Sequence, residues 1–293
     1  MKIAIIGAGN IGANVANNVI VNENLAKFIS EIALVDIAEN IARGKALDLA
    51  HLASLCECDV KVCAGSEPEL LKGADIVVIT AGLTRKAGQS REDLLKSNAK
   101  IVSECARNTA KFAPNAIIII VTNPLDLMVL CAQKASGFAH SRVIGMAGEL
   151  DSARLKFEIA KFSGDKISAL NAPVVGTHND EMVILKDEIN AKISATDLNT
   201  ASQNTLNSGK SVVSLLGTSA YFAPAGGIVK IIKSIIADDN KTLICSVVDE
   251  NGVPFGRFVS IGKNGATPLE FEYPLEFKKK YNKMGQSIRE LEI

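Results

Sequence analysis

The chain has 293 residues, 47% of them hydrophobic and 4% aromatic, which is enough to bury a substantial core and to divide into two domains. Lysine plus arginine and aspartate plus glutamate both number 32, so no net field draws in nucleic acid or an anionic membrane surface. The longest aliphatic run, Ala116–Val121, falls far short of the roughly 20 apolar residues a membrane span needs, leaving a small molecule as the expected partner.

Met1 leads straight into a strand-like run, Lys2–Ile6, with no cleavable export segment, and a cytoplasmic location is expected. Gly7, Gly9 and Gly12 follow as GAGNIG, at the head of a helical pattern that includes Asn10 and Ile11. In that context the glycines allow a tight turn and close approach of backbone to a pyrophosphate, whose charge meets a helix N-terminus. Alone the motif is weak and also suits a glycine turn with no ligand. A second strand, Glu31–Val35, ends at Asp36, 24 residues after Gly12. A carboxylate there accepts bonds from ribose hydroxyls and repels a 2′-phosphate, which favours NAD over NADP; no nearby basic residue is evident to answer it.

Further strands are expected at Val60–Cys63 (the weakest), Asp75–Thr80, Ala116–Thr122 and Arg142–Met146. Their alternation with helical patterns implies βαβ units and a doubly wound, mostly parallel sheet over residues 1–147. The corners Thr80-Ala81-Gly82 and Val121-Thr122-Asn123 fall at carboxyl ends of such a sheet, where ligands collect. From residue 148 to 293 the pattern changes to an α+β domain, with a long helix at Leu150–Phe162, shorter strands and a charged helical tail, Leu275–Glu292.

The six cysteines suit reduced thiols. Cys56, Cys58 and Cys63 cluster without CxxC spacing or a fourth soft ligand, so no metal site is expected, and Cys105, Cys131 and Cys245 read as core. Of three histidines, His51 and His140 read as surface, and His178 stands in a turn-like segment, where a lone histidine is more often structural than catalytic. Asp151 and Arg154, three apart, share a helix face; taken alone they suit a local ion pair.

Taken together, GAGNIG (residues 7–12), TAGLTRKAGQSRED (80–93), VTNPLD (121–126), GMAGELDSAR (145–154), GTHND (176–180) and IGKNG (261–265) resemble the lactate and malate dehydrogenase family over nearly the whole chain, in the family's order and spacing. Within it the pattern looks like the malate dehydrogenases built like lactate dehydrogenases. The resemblance implies a Rossmann NAD-binding domain, a catalytic second domain and a homodimer or homotetramer. It implies that His178 accepts the substrate's hydroxyl proton, that Asp151 orients it, and that Arg154 grips the C1 carboxylate. Arg91, in a closing loop, would polarise the reacting oxygen, which Asn123 would also bond. Asn98 and the Val121–Asn123 backbone would lie along the cofactor. Arg85 falls where the family selects its substrate; an unpaired guanidinium there calls for a second carboxylate, hence malate rather than lactate. A lactate dehydrogenase and a non-catalytic NAD sensor are the rivals. The sequence departs from the family at Asn179, where glycine is usual; asparagine tolerates the left-handed backbone better than other non-glycine residues, so a similar turn remains accessible. The Thr218-Ser219-Ala220 segment falls near a family pocket wall, without an assigned role.

Overall fold

The computed structural model describes residues 1–84 and 90–290, with the backbone alone of Arg91. In chain order the elements are β1 (Lys2–Ile6), α1 (Asn10–Ile20), α2 (Glu23–Ala26), β2 (Glu31–Val35), α3 (Glu39–Leu55), β3 (Lys61–Gly65), β4 (Ile76–Ile79), α4 (Arg91–Phe112), β5 (Ile117–Ile120), α5 (Leu125–Ser136) and β6 (Val143–Met146). They continue with α6 (Gly148–Ser163), β7 (Val174–Val175), β8 (Val183–Ile184), α7 (Ala195–Leu216), α8 (Phe222–Ala237), β9 (Lys241–Val248), β10 (Pro254–Gly262), β11 (Gly265–Pro268) and α9 (Leu275–Glu290). No helix among the described residues is long and apolar enough to cross a membrane.

Nine strands form one sheet in the order β11-β10-β9-β6-β5-β4-β1-β2-β3. The six from β3 to β6 run parallel, in the doubly wound arrangement the alternating pattern implies. Their runs are apolar throughout because both faces are covered. In β4 and β5, Ile76, Val78, Ile117 and Ile119 enter one core with Val15 and Val19 of α1 and Ile228 and Ile232 of α8. Their neighbours Val77, Ile79, Ile118 and Ile120 enter the other, with Val102 and Ala106 of α4 and Met128 and Val129 of α5. Each such isoleucine, fully removed from water, contributes about 1.5–3 kcal/mol.

The expected strands sit within a residue or two of those observed. The third is displaced, to Lys61–Gly65, because pairing with β2 sets Glu31 opposite Lys61 and Val35 opposite Gly65. The strands of residues 241–268 do not stand apart. β9 pairs antiparallel with β6, Gly145 facing Ser246 and Met146 facing Cys245, so the second half of the chain lengthens the sheet of the first. Among the described residues, β7 and β8 alone form a separate, two-stranded sheet.

Candidate active site

Two neighbouring strands diverge in their connections at the middle of the sheet. From β1 the chain passes to β2 and β3, then returns to β4 on the other side, and this opens a crevice beyond their carboxyl ends. Gly7 turns there with φ +103°, a region L side chains rarely adopt; a Cβ on it would lie 2.5 Å from Thr80 Oγ1. Thr80 Oγ1 donates to the Gly7 carbonyl at 2.9 Å, pinning the two strand ends together. A Cβ on Gly12 would run into that same Gly7 carbonyl oxygen, so the third glycine allows α1 to pack on the turn.

Gly9 is different. It precedes α1 with no side chain capping the helix, and a Cβ there would meet nothing within 4 Å. The unpaired N–H groups of the first turn therefore face a cleft of about 520 Å³, lined by Gly7, Gly9, Asn10, Ile11, Asp36, Thr80, Ala81 and Gly82 among others. Asp36 closes its far side. Its Oδ2 accepts from Ala8 N at 2.7 Å and its Oδ1 from Ala38 N at 2.9 Å, which leaves carboxylate lone pairs for two hydroxyls. Lys45 was not anticipated here: its ammonium donates to the carbonyl of Ala8, the residue whose N–H Asp36 accepts, at 2.6 Å. Glycine cradle, open helix end and a carboxylate with lone pairs to spare together fit a dinucleotide.

Cys105, expected in the core, is half-buried on the wall of this cleft. Burial, assisted by Glu104, pushes its thiol up to about 12, so it is no thiolate nucleophile at neutral pH. Thr218, Ser219 and Ala220 line the same cleft.

The two corners after β4 and β5 are joined by one buried amide. Asn98 Oδ1 accepts from Leu83 N at 2.8 Å, and its Nδ2 donates to Leu83 O at 3.2 Å and to Asn123 O at 2.7 Å. With Thr122 Oγ1 donating to Ala81 O at 2.7 Å, the corners hold a fixed separation.

On α6, Asp151 and Arg154 do share a face and form an ion pair, Nη1 to Oδ1 at 3.3 Å. The other carboxylate oxygen takes His178 Nδ1 at 2.7 Å. Asp151 is 2% exposed, His178 17% and Arg154 20%, so a buried carboxylate anchors two cationic or ionisable groups that reach toward solvent. With Nδ1 occupied, Nε2 is the free ring nitrogen. A second carboxylate acts from behind: Asp126, at the start of α5, accepts the His178 backbone N–H at 2.9 Å through Oδ2 and the Ser246 hydroxyl at 2.7 Å through Oδ1. Burial by itself pulls the imidazole's pKa down, but the charge and hydrogen bond of Asp151 and the charge of Asp126 outweigh it. Arg154 opposes them, and the result lies above the usual histidine value. Burial likewise raises the carboxyl of Asp126 itself, against the donors Ser246 and His178 N.

His178, Asp151 and Arg154 border a second cavity, about 600 Å³, completed by Asn179, Asp180 and Met182 and by the α7 residues Leu206, Gly209, Lys210, Val213 and Ser214. Asn179 does not use the left-handed conformation open to it. Among the described residues, positive φ outside glycine occurs at Glu57, Asp238 and Asn240. Asn179 shapes the turn with its side chain instead, Oδ1 accepting from Thr177 Oγ1 at 2.9 Å and Glu181 N at 2.7 Å.

Comparison with known proteins gives this arrangement a family. Residues 1–145 match the lactate/malate dehydrogenase NAD-binding domain, and residues 148–292 the α/β C-terminal domain of the same family. The chain belongs to the lactate/malate dehydrogenase family. A malate dehydrogenase of Nitratiruptor sp. is 40% identical, the match covering 99% of this chain and 94% of the relative. The crystal structure of Cryptosporidium parvum malate dehydrogenase superposes with TM-score 0.91 at 35% identity, covering 99% of this chain and 96% of that one. Archaeoglobus fulgidus malate dehydrogenase in complex with NADH gives 0.90 at 32%, covering 99% and 98%. A Cryptosporidium parvum lactate dehydrogenase complexed with lactic acid and the dinucleotide also reaches 0.90, at 33% identity, with 99% and 96% covered. The backbone alone therefore does not separate the two branches.

As a member of this family the protein is an NAD-dependent oxidoreductase. Of the residues its sequence singled out, Gly7, Gly9, Asn10, Ile11, Asp36, Thr80, Ala81 and Gly82 gather on the first cavity and His178, Asp151 and Arg154 on the second. Gly12, Asn98, Val121 and Asn123 are on the wall of neither; Gly12, Asn98 and Val121 are buried and Asn123 is exposed. Arg85 lies outside the described residues, as does the side chain of Arg91. Asp126 and Ser246 were given no role by sequence reasoning. The only available signal was a carboxylate inside the quoted VTNPLD run, opening an apolar helix. No group of three or more His, Cys, Asp or Glu among the described residues could hold a metal ion.

Proposed function

We propose that the protein interconverts (S)-malate and oxaloacetate, with residues 1–147 binding NAD and residues 148–293 supplying the catalytic groups. The observation that carries this reading is Asp151, a buried carboxylate bridging His178 and Arg154 beside a dinucleotide cleft, in a chain whose near relatives are malate dehydrogenases. NAD, when bound, supplies the hydride acceptor. His178 Nε2 takes the hydroxyl proton of malate as the C2–H bond breaks, and Asp151 stabilises the imidazolium that forms. In reduction the same nitrogen returns the proton to the carbonyl oxygen. Arg154 holds the C1 carboxylate with a planar fork that lysine does not reproduce. Asn123 and Arg91 serve the reacting oxygen, and Asn98 and Val121 act on the cofactor side by holding the corners.

Arg85 is the proposed selector of the second carboxylate. The test is the ratio of kcat/KM for oxaloacetate and pyruvate with NADH, and with NADPH as a control given Lys45. Oxaloacetate should win by orders of magnitude, and equal or better use of pyruvate refutes the reading. Arg85→Gln should lower that ratio by about 10²-fold or more, since an unpaired desolvated carboxylate costs several kcal/mol. We further propose a cytoplasmic homodimer or homotetramer, a reading supported by the exposed apolar residues Ile41, Leu47 and Leu55 on α3.

A further inference from the structure

One helix contributes a cation to the catalytic cavity that neither the mechanism nor the motifs use. Leu206, Gly209, Lys210 and Val213 of α7 recur at the i, i+3, i+4, i+7 spacing of a single helix face, and that face borders the cavity of His178 and Arg154. The backbone of α7 passes close to the guanidinium: a Cβ on Gly209 would sit 3.9 and 4.0 Å from two nitrogens of Arg154. Lys210, the next residue, therefore stands at the rim of the cavity that holds His178 and Arg154.

Its ammonium is engaged by Asp180, in the turn that carries His178, at 3.3 Å to each oxygen. Both side chains are mostly exposed, 67% and 61%, and the long, forked contact has the geometry of a weak pair. Such a pair is easily exchanged for another carboxylate, because solvated ion pairs of this kind contribute little to stability. The Asp151 carboxylate, by contrast, is fully committed to His178 and Arg154.

We infer that Lys210 is a further substrate-recognising cation of this site, held by Asp180 in the free enzyme and transferred to the distal carboxylate of a dicarboxylic substrate. The inference rests on the malate reading. It makes Asp180 a competitor of the substrate, so the two partners of one ion pair affect binding in opposite directions, which a merely structural strap does not do.

The test uses the full-length enzyme with NADH, measuring KM and kcat for oxaloacetate and for pyruvate in wild type, Lys210→Gln and Asp180→Asn, at low and high salt, with thermal melting as a folding control. Lys210→Gln should raise the oxaloacetate KM about threefold to tenfold, Asp180→Asn should lower it by up to about threefold, and neither should shift the pyruvate KM more than about twofold; high salt should shrink both oxaloacetate differences. Shifts of the same sign in both variants, unchanged oxaloacetate KM in Lys210→Gln, or equal effects on pyruvate overturn the inference and leave the malate reading standing. A wild-type enzyme that prefers pyruvate overturns both.

Discussion

Replacing Asp151 by asparagine keeps the side chain's size and removes the charge that His178 and Arg154 share. In wild type the 2.7 Å contact to Nδ1 is made by a carboxylate that is 2% exposed, so water screens it little. A hydrogen bond to a charged group contributes about 1.5–3 kcal/mol. This one strengthens as the imidazole gains a proton, so most of that amount belongs to the transition state rather than to bound substrate. At about 1.4 kcal/mol per factor of ten, Asp151→Asn should lower kcat by roughly 10- to 150-fold. The loss should fall on kcat, because Arg154 remains free to hold the substrate. NADH affinity, read by fluorescence titration, should be unchanged, since the dinucleotide cleft does not include Asp151. Steady-state kinetics, the titration and a thermal melt decide the matter together. A folded variant with kcat within about threefold of wild type would refute the reasoning, since so small a loss is below what a charged hydrogen bond contributes.

The pH dependence follows from the raised pKa of His178. In the proposed mechanism the imidazolium supplies the proton for reduction of oxaloacetate, so its kcat/KM should be flat at low pH and fall only above the ordinary value of 6.5, while malate oxidation rises through the same range. The same shift favours folding most below the unfolded histidine's pKa, and that contribution is lost as pH rises through the folded value. Asp126→Asn preserves shape and removes a charge that raises this pKa, so the falling limb should move to lower pH; an unmoved limb denies Asp126 any electrostatic part. Two glycine substitutions should separate stability from binding. Gly12→Ala forces a Cβ into the Gly7 carbonyl and should cost about 1–3 kcal/mol in denaturant unfolding. Gly9→Ala meets no protein atom within 4 Å and should melt like wild type yet bind NADH more weakly; normal NADH binding by that variant would place the pyrophosphate elsewhere.

Local chemistry made much of this protein readable. Isoleucine and valine runs announced β4 and β5 because a strand buried on both faces needs apolar residues at every position. Gly7 and Asp36 declared the cleft because each follows directly on a readable strand, at the glycine spacing and carboxylate position that a dinucleotide site needs. What stayed hidden depends on meetings across long separations. The antiparallel extension by β9, β10 and β11 follows from β9 docking on β6, about a hundred residues away, and nothing within Lys241–Val248 names that partner. Asp126 stands in the first turn of α5, where an acidic residue is favoured for local reasons, and nothing nearby in the chain marks it further. Its grip on His178 appears only after residues 178 and 246 arrive. Asn179 was judged by backbone preference, whereas its side-chain carbonyl proved decisive.

Asp126 also bears on how activity appears during folding. Its two oxygens collect a backbone amide 52 residues away and a hydroxyl 120 residues away. His178 is thus anchored only once segments from the first sheet half, the turn after β7 and the late strand β9 have closed on one another. Such non-local contacts carry the largest loop-closure entropy and tend to form last. A chain that has assembled its dinucleotide cleft would bind cofactor before it can turn over substrate, so recovery of NADH binding on refolding should run ahead of recovery of catalysis.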